Sequence, residues 1–187
     1  MIRLANSHPR VNIHNPGPGV GGPCLPKDPY LLIMGKNFDK SIVKTARWVN
    51  DSMPSHIVDI LMKTLHSSKI STDNLNVLIL GISYKPDVND TRYSPTRSIV
   101  LSLKKQGFQN LTLHDPFTED TLGVKFNSDL NSVLGAAVCV IIATAHSIYS
   151  SLSMKDFKKD CIIADTVRFL NKDDFLNNRL TYIAPGA

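Results

Sequence analysis

The sequence lacks a hydrophobic run long enough to cross a membrane. Its longest apolar stretch, 136–145, has about half of the roughly 20 residues that a bilayer-spanning helix needs. No positively charged segment followed by an apolar one opens the chain, so nothing marks it for secretion. We therefore expect a cytoplasmic protein that does not associate with membranes.

Cysteine is also scarce, with three residues in a chain of 187. Their number is odd and their spacing matches no set of metal ligands, so the sequence predicts neither a disulfide framework nor a metal site. Cys139 and Cys161 lie in apolar runs typical of strands, where cysteine is a small buried hydrophobic residue. Cys24 differs, because it lies in a loop of glycines and prolines.

No segment concentrates the basic residues. The net charge of +5 is modest, and no basic stripe alternates with aromatic residues, which argues against nucleic-acid binding. Two interpretations of the excess charge remain: a solvated basic surface, or a few cations that face a phosphorylated small molecule. With 42% hydrophobic and 20% charged residues, the composition is that of an ordinary globular protein with one sizeable core.

From about residue 75 onward, patterns typical of buried strands alternate with helical patterns. This alternation predicts an α/β fold, a Rossmann-like domain whose parallel sheet is covered by helices on both faces. Ser94, Pro95 and Gly107 supply the N-cap, first residue and terminator of one helix. The predicted strands lie in 76–84, 111–116, 138–145 and 161–167, and the predicted helices in 94–107, 129–134 and 154–159.

Before residue 75, a Gly/Pro loop is followed by helical spacing of apolar residues. The run NDSMP (50–54) places a capping residue before a proline, which predicts a break or kink in that helix. The polar stretch 67–74 is the predicted linker between two units, a helical segment at 1–66 and the Rossmann-like domain at 75–187. The chain opens with a pattern like the tail of a helix, so we expect a fragment of a larger protein.

The loop after the first predicted strand, GISYKPDVNDTRYSP (81–95), lacks a G-x-G-x-x-G fingerprint. In an open parallel sheet, ligands bind at the carboxyl ends of the strands, where such glycines would hold a pyrophosphate. This loop offers Lys85 and Arg92 instead, which suits a nucleotide diphosphate but not a self-sufficient NAD site. The alternative is that these two cations only cap the loop or pair with Asp87 and Asp90.

The loop around Cys24, PGPGVGGPCLPKD (16–28), combines flexibility with stiffness. Glycines allow positive φ and a close approach of the backbone, while prolines restrict it, so the loop can hold a thiol in the open. A thiolate near backbone donors and Lys27 would be nucleophilic. The residues that follow predict a helix whose Asp28 lies one turn from Cys24. The alternative is a structural turn with an incidental cysteine.

Three separated motifs resemble the UDP-glucose/GDP-mannose dehydrogenase family, in the order found there. They are ANSHPRVNIHNPGPGVGGPCLPKDPYLL (5–32), ARWVNDSMP (46–54) and LGISYKPDVNDTRYSP (80–95). The first is most similar to the branch that oxidises UDP-N-acetylmannosamine. The resemblance implies an NAD-dependent, four-electron oxidation of a UDP-sugar at C6, through a thiohemiacetal and a thioester on a cysteine. It also implies a homodimer, in which a domain beyond this chain holds most of the NAD.

The resemblance also assigns roles to individual residues. It makes Cys24 the nucleophile, and Asp28 the residue that positions or activates the hydrolytic water. It assigns Arg92 to the NAD pyrophosphate, and it implies no metal. The residues implied to bind the UDP-sugar are Arg10 (from the neighbouring subunit), Gly19, Gly21, Gly22, Tyr30, Lys85 and Arg168.

Two departures from the mannosamine branch leave the sugar open: Pro23 replaces its usual histidine, and Lys27 its usual apolar residue. Because the NAD-binding domain is missing, we expect the chain alone to be inactive. Two alternatives to an enzyme remain. The chain could be a non-catalytic module that binds a nucleotide-sugar, or a dimerisation module that pairs through residues 40–65.

Overall fold

The computed structural model describes residues 2–10, 15–34, 42–176 and 180–185. The α-helices are α1 (Ile2–Ala5), α2 (Asp28–Ile33), α3 (Ile42–Ser67), α4 (Pro95–Lys105), α5 (Leu130–Ala136) and α6 (Lys172–Leu176). The strands are β1 (Val77–Leu80), β2 (Leu111–His114), β3 (Lys125–Phe126), β4 (Cys139–Ile142), β5 (Ile162–Asp165) and β6 (Thr181–Ile183). Two 3₁₀ helices, Ser147–Ser151 and Met154–Asp156, lie between β4 and β5.

The six strands form one parallel sheet in the order β3-β2-β1-β4-β5-β6. The predicted α/β fold with a parallel sheet is confirmed. The strand order reverses direction at β1, which pairs with β2 on one side and β4 on the other. In sheets of this kind, the crevice at the carboxyl ends of the strands beside this reversal is where ligands bind.

Both faces of the sheet are covered, as predicted. One set of alternating strand residues, which includes Ile79 and Ile141, packs against apolar residues of α3 and α4. The other set, which includes Leu80 and Ile142, packs against α5, α6 and the 3₁₀ helices. Strands buried on both faces explain the continuous apolar runs in the sequence. Cys139 and Cys161 are buried in these two layers, as predicted.

The predicted break at 50–54 is wrong, because α3 runs without interruption from Ile42 to Ser67 with Pro54 inside it. A proline inside a helix costs about 3 kcal/mol, since it removes one hydrogen bond and crowds the preceding turn. Three turns beyond the proline bury an apolar stripe against the sheet and α4, and each such side chain contributes about 1.5–3 kcal/mol. That burial outweighs the cost of the proline. The buried stripe is formed by Ile57, Val58, Leu61 and Leu65.

The helix predicted at 154–159 is only a 3₁₀ turn, Met154–Asp156. The Asp156 carboxylate accepts hydrogen bonds from both the N–H and the hydroxyl of Ser153, at 2.7 and 2.9 Å, which closes the turn after three residues. The predicted helix with Ser94 as its N-cap is confirmed as α4. The Ser94 side chain accepts the Thr96 N–H, and Gly107 follows the end of the helix with φ +91°. Within the described ranges, no helix has the length and apolarity to span a membrane.

Candidate active site

A cleft of about 580 Å³ opens at the carboxyl ends of β1, β4 and β5. Its floor comes from the residues just after β4, and its walls from the loop after β1 and from the segment 15–25, which we call the Cys loop. This is the crevice that the strand order predicts as a ligand site. The lining residues include Pro16, Val20, Leu25, Tyr84, Lys85, Pro86, Pro95, Thr144 and Val167.

Glycines let the Cys loop pack tightly against the loop after β1. A Cβ atom on Gly21 would lie 2.6 Å from the carbonyl oxygen of Tyr93, and one on Gly22 would lie 2.8 Å from the ring of Tyr84. The Gly22 N–H donates to the carbonyl of Arg92 at 2.9 Å. No other residue type fits such contacts without a shift of the backbone.

Asn50 holds the Cys loop from the other side. Its side-chain oxygen accepts the N–H of Val20 at 2.9 Å, and the Asn50 carbonyl faces Gly19. That carbonyl is the one that Pro54, four residues on, cannot bond in the helix. Asn50 lies inside α3 and fixes the loop that carries Cys24.

Cys24 is exposed, unlike the other two cysteines. Its carbonyl accepts the N–H groups of Lys27 and Asp28 at 3.0 and 2.9 Å, a turn that leads into α2 and sets Asp28 one turn from Cys24, as predicted. Leu25, the next residue, lines the cleft. The pKa of Arg92 is raised, chiefly by its hydrogen bonds to Asp90 and slightly by attraction to Cys24. Cys24 itself is not a lining residue of the cleft, but the residue that follows it is.

The two cations of the loop after β1 differ in their surroundings. Lys85 lines the cleft, and among the described residues its ammonium group has no hydrogen-bond or ion-pair partner. The suggested pairing with Asp87 is not formed, because that carboxylate accepts the N–H and hydroxyl of Ser147. Arg92 does pair with Asp90, through Nε and Nη2.

The remaining predicted site residues lie at different places. Gly19 and Gly21 line the cleft with Lys85. Arg168 lines a neighbouring cleft of about 260 Å³, and its Nη2 donates to the carbonyl of Pro185 at 2.8 Å. Tyr30 and Arg10 line neither cleft.

The structure places these last two residues outside the cleft, on the helical segment. The Tyr30 hydroxyl lies 3.4 Å from the Asp51 carboxylate. Arg10 is exposed after α1, and its backbone N–H donates to Nδ1 of His8 at 3.2 Å. The roles given to the ten predicted site residues stay predictions.

One buried polar pair behind the loop after β1 was not predicted. The Asp115 carboxylate, just after β2, accepts the Nε2–H of His146 at 3.0 Å and the N–H groups of Ile82 and Ser83 at 2.7 and 2.9 Å. Burial opposes the charge of Asp115, but these hydrogen bonds outweigh it and lower the pKa to about 2. Asp115 and His146 are 31 residues apart, so only the strand order brings them together.

Family models match most of the chain. The UDP-binding domain of the UDP-glucose/GDP-mannose dehydrogenase family matches residues 78–172. The central domain of the same family matches residues 1–52. The first of these matches alone spans half of the chain and includes most of β1, the loop with Lys85 and Arg92, and most of the sheet.

Curated relatives extend the match across nearly all of the chain. The UDP-N-acetyl-D-mannosamine dehydrogenase of Methanocaldococcus jannaschii is 39% identical over 178 residues, 92% of this chain and 40% of the relative. The enzyme of the same name from Pyrococcus horikoshii is 35% identical over 158 residues, 84% of this chain and 36% of the relative. The chain thus spans about two fifths of the length of these relatives.

Solved structures agree with this assignment. The UDP-D-ManNAc dehydrogenase of P. horikoshii superposes with a TM-score of 0.79 at 32% identity, covering 97% of this chain and 43% of that one. An NDP-N-acetyl-D-galactosaminuronic acid dehydrogenase from Methanosarcina mazei Go1 gives a TM-score of 0.82 at 29% identity, with 94% and 40% covered. The resemblance found in the sequence is confirmed: the chain belongs to the UDP-glucose/GDP-mannose dehydrogenase family.

Proposed function

We propose that this chain is part of an NAD-dependent UDP-sugar 6-dehydrogenase, to which it contributes the nucleophilic thiol and a large part of the nucleotide-sugar site. The observation that carries the proposal is the cleft itself. An apolar crevice at the reversal of strand order has the Lys85 ammonium group, which no described residue pairs with, on one wall and the Cys loop on the other. The names of the most similar relatives support UDP-N-acetylmannosamine as the substrate.

Cys24 would act in the second half of such a reaction. Its thiolate attacks the C6 aldehyde, so that a C–S bond forms and the carbonyl oxygen takes a proton to give a thiohemiacetal. Loss of a hydride from C6 together with the hydroxyl proton turns this adduct into a thioester, and bound NAD would accept the hydride. Water then attacks the carbonyl carbon, the C–S bond breaks, and the thiolate leaves as the carboxylate forms. Asp28 is one turn away and would orient that water.

Lys85 would bind the diphosphate. A free ammonium group on a cleft wall attracts phosphate oxygens, and a charge-assisted hydrogen bond of this kind contributes about 1.5–3 kcal/mol. Arg168, in the neighbouring cleft, would have to leave the Pro185 carbonyl to reach the same ligand.

Among the described residues, Arg92 is the one that we propose for contact with NAD. After β1, a Cβ on Gly81 would lie 2.4 Å from Cβ of Thr144, so that glycine serves sheet packing and no glycine cradle follows it. Arg92 is exposed, and its Nη1 is not engaged by Asp90, so it could contact the NAD pyrophosphate. NAD bound mainly by a further domain would accept the hydrides. We therefore expect no NAD reduction by this chain above the level of Cys24→Ser.

The exposed apolar residues of the first helices support a homodimer or contact with the rest of the enzyme. Leu32 and Met34, at α2, are 73% and 70% exposed, and Ile42 and Trp48, on α3, are 83% and 69% exposed. Patches of this kind mark interaction surfaces. A dimerisation module without nucleotide affinity is the second candidate function, and sedimentation together with nucleotide titration separates it from the first.

Isothermal titration of the chain with UDP tests the proposal. We expect wild type to bind, Lys85→Ala to bind about tenfold more weakly, and Cys24→Ser to bind like wild type. The matched control is Lys105→Ala, which removes an exposed lysine at the far end of α4 and leaves affinity unchanged. Absence of UDP binding, or equal loss in both lysine variants, would contradict the proposal.

A further inference from the structure

We propose that His146 is a positioning residue that holds the loop after β1, and with it the Lys85 ammonium group, at the wall of the cleft. The inference rests on the proposed function, in which Lys85 binds the UDP-sugar. His146 is completely buried, although it lies in the turn after β4 and not in a strand or helix. Its two ring nitrogens contact different parts of the molecule.

The geometry of His146 defines its tautomer. Nδ1 accepts the N–H of Asp87 at 3.0 Å, and Nε2 lies 3.0 Å from the Asp115 carboxylate. A nitrogen that accepts a backbone N–H carries no proton, so the proton is on Nε2 and is donated to Asp115. The ring therefore bridges a fixed carboxylate and the loop after β1.

Asp115 is a rigid anchor because both of its oxygens are fully engaged. Oδ2 accepts His146 and the N–H groups of Ile82 and Ser83, at the start of the loop. Oδ1 accepts the N–H groups of Phe117 and Thr118, at 2.8 and 3.2 Å. The His146 ring is thus held by a group that cannot move without breaking four backbone hydrogen bonds.

Asp87 is the second fixed point of the loop. Its φ is +57°, a conformation that a residue other than glycine rarely adopts, and its carboxylate accepts the N–H and hydroxyl of Ser147 at 2.9 and 3.1 Å. Lys85 lies between this point and the point held by Asp115. Its backbone is therefore fixed at both ends, while its ammonium group stays free to bind a ligand.

The loop after β1 also contacts the Cys loop, through Tyr84. Tyr84 donates its N–H to the carbonyl of Asp90 at 2.9 Å, and its ring packs against Gly22 of the Cys loop. A loop released at Asp87 would lose the position of both Lys85 and the surface on which the Cys loop rests. The main effect is on Lys85, which is two residues from the released bond.

Two substitutions separate the two bonds of His146. The amide oxygen of His146→Asn can take the place of Nδ1 and accept the Asp87 N–H, but its side chain is too short to reach Asp115. The amide of His146→Gln reaches the place of Nε2 and keeps the bond to Asp115, but leaves the Asp87 N–H without an acceptor. Both are polar and similar in size, so a difference between them reports the bond to Asp87.

Tyr149→Phe is the matched control for loss of stability in the same buried cluster. The Tyr149 hydroxyl donates to the His114 carbonyl at 3.1 Å and contacts its Nδ1 at 2.9 Å, but it bonds to no residue of 82–92 among those described. The aromatic ring packs edge-on against His146 and remains in the variant. This change removes a buried hydroxyl without releasing the loop.

The test combines amide hydrogen exchange, followed by NMR in the ligand-free chain, with UDP titration. We expect His146→Gln to speed exchange at Asp87 and weaken UDP binding, each about fivefold, with His146→Asn and Tyr149→Phe within twofold of wild type. Equal behaviour of the Gln and Asn variants, or loss of UDP affinity in Tyr149→Phe, would overturn the proposal. If wild type does not bind UDP, the proposed function fails, and the exchange rates still decide whether His146 holds the loop.

Discussion

The two halves of α3 have opposite surroundings. Beyond Pro54, Leu61 and Leu65 are completely buried between the sheet and α4. Before it, Ile42, Trp48 and Val49 project into solvent on the same helix. The sequence gives no hint of this contrast, since apolar residues with helical spacing occur on both sides of the proline.

This contrast shows that the chain buries one hydrophobic core, around the sheet, and leaves the apolar residues of its first helices exposed. The region from β1 onward buries its apolar residues on both faces of the sheet. The helical region before it contributes the Cys loop, but it presents an apolar surface that a partner subunit or a further domain would cover. The cleft lies where these two regions meet, so the Cys loop on one wall comes from one region and Lys85 on the other wall comes from the other.

The largest expected effect compares the two halves of α3 directly. Leu61→Ala leaves a cavity in a packed core and is expected to lower the free energy of unfolding by about 3 kcal/mol. Trp48→Ala, on the exposed half, is expected to change it by less than about 0.5 kcal/mol at concentrations where the chain is monomeric. Urea unfolding followed by circular dichroism measures both. A comparable loss in Trp48→Ala would mean that the first half is packed after all.

The next effect concerns the free energy of unfolding at low pH, which we expect to depend on a group in the sheet region, Asp115. The pKa of Asp115 is about 2 in the folded protein against an ordinary 3.8, so the folded state binds this proton less tightly than the unfolded state. The ionised form stabilises the fold by about 2 kcal/mol above pH 4 or so, and this contribution is lost as the pH falls towards 2.

Asp115→Asn is therefore expected to flatten the pH dependence of unfolding between about pH 5 and pH 2, while lowering stability at neutral pH. His114, whose pKa burial lowers, contributes a separate loss that begins below its ordinary value of 6.5 and stays in the variant. Urea titrations across this pH range give the profile. An unchanged slope below pH 5 would show that Asp115 is not ionised in the way described.

A smaller effect tests the packing of the Cys loop against the loop after β1. Gly21→Ala forces a methyl group to within 2.6 Å of the Tyr93 carbonyl, so we expect the Cys loop to separate from the sheet at a cost of about 1–2 kcal/mol. Gly135→Ala, in α5, meets nothing within 4 Å and is expected to stabilise the chain by up to about 1 kcal/mol. The rate of proteolytic cleavage within 15–27 would rise in Gly21→Ala only. Equal cleavage rates in the two variants would contradict the close packing of the Cys loop against the loop after β1.

The strands of the sheet and the well-capped helix α4 could be predicted, because their signals are local. Four of the six strands were predicted, of which β1 and β4 are continuous apolar runs, and Ser94 with Pro95 marks a helix start in adjacent residues. The strand Lys125–Phe126 could not be predicted, since two residues carry no periodicity and it pairs only because β2 lies beside it. The continuity of α3 was not predicted for the opposite reason. Pro54 is a strong local signal for a helix break, but the burial of the apolar residues beyond it keeps the helix intact.

The candidate site divides in the same way. The Cys loop and the loop with Lys85 have distinctive glycines, prolines and cations, so both were found from the sequence. Asp115 and His146 were not found from the sequence. The segments around them, HDP (114–116) and ATAHS (143–147), match no functional motif, and their contact depends on the order of β1, β2 and β4. The contact between Asn50 and Val20 was not predicted either, because it joins residues that are 30 apart.

The most direct test of the central claim is the rate of Cys24 alkylation with and without a UDP-sugar. Burial raises the pKa of Cys161 to about 12 and that of Cys139 further still, so iodoacetamide should modify Cys24 at least about 100-fold faster than either. A thiol beside the nucleotide-sugar cleft predicts that saturating UDP-N-acetylmannosamine slows this reaction severalfold in the folded chain. Equal rates for the three thiols, or a Cys24 rate unchanged by the bound nucleotide-sugar, would contradict the account.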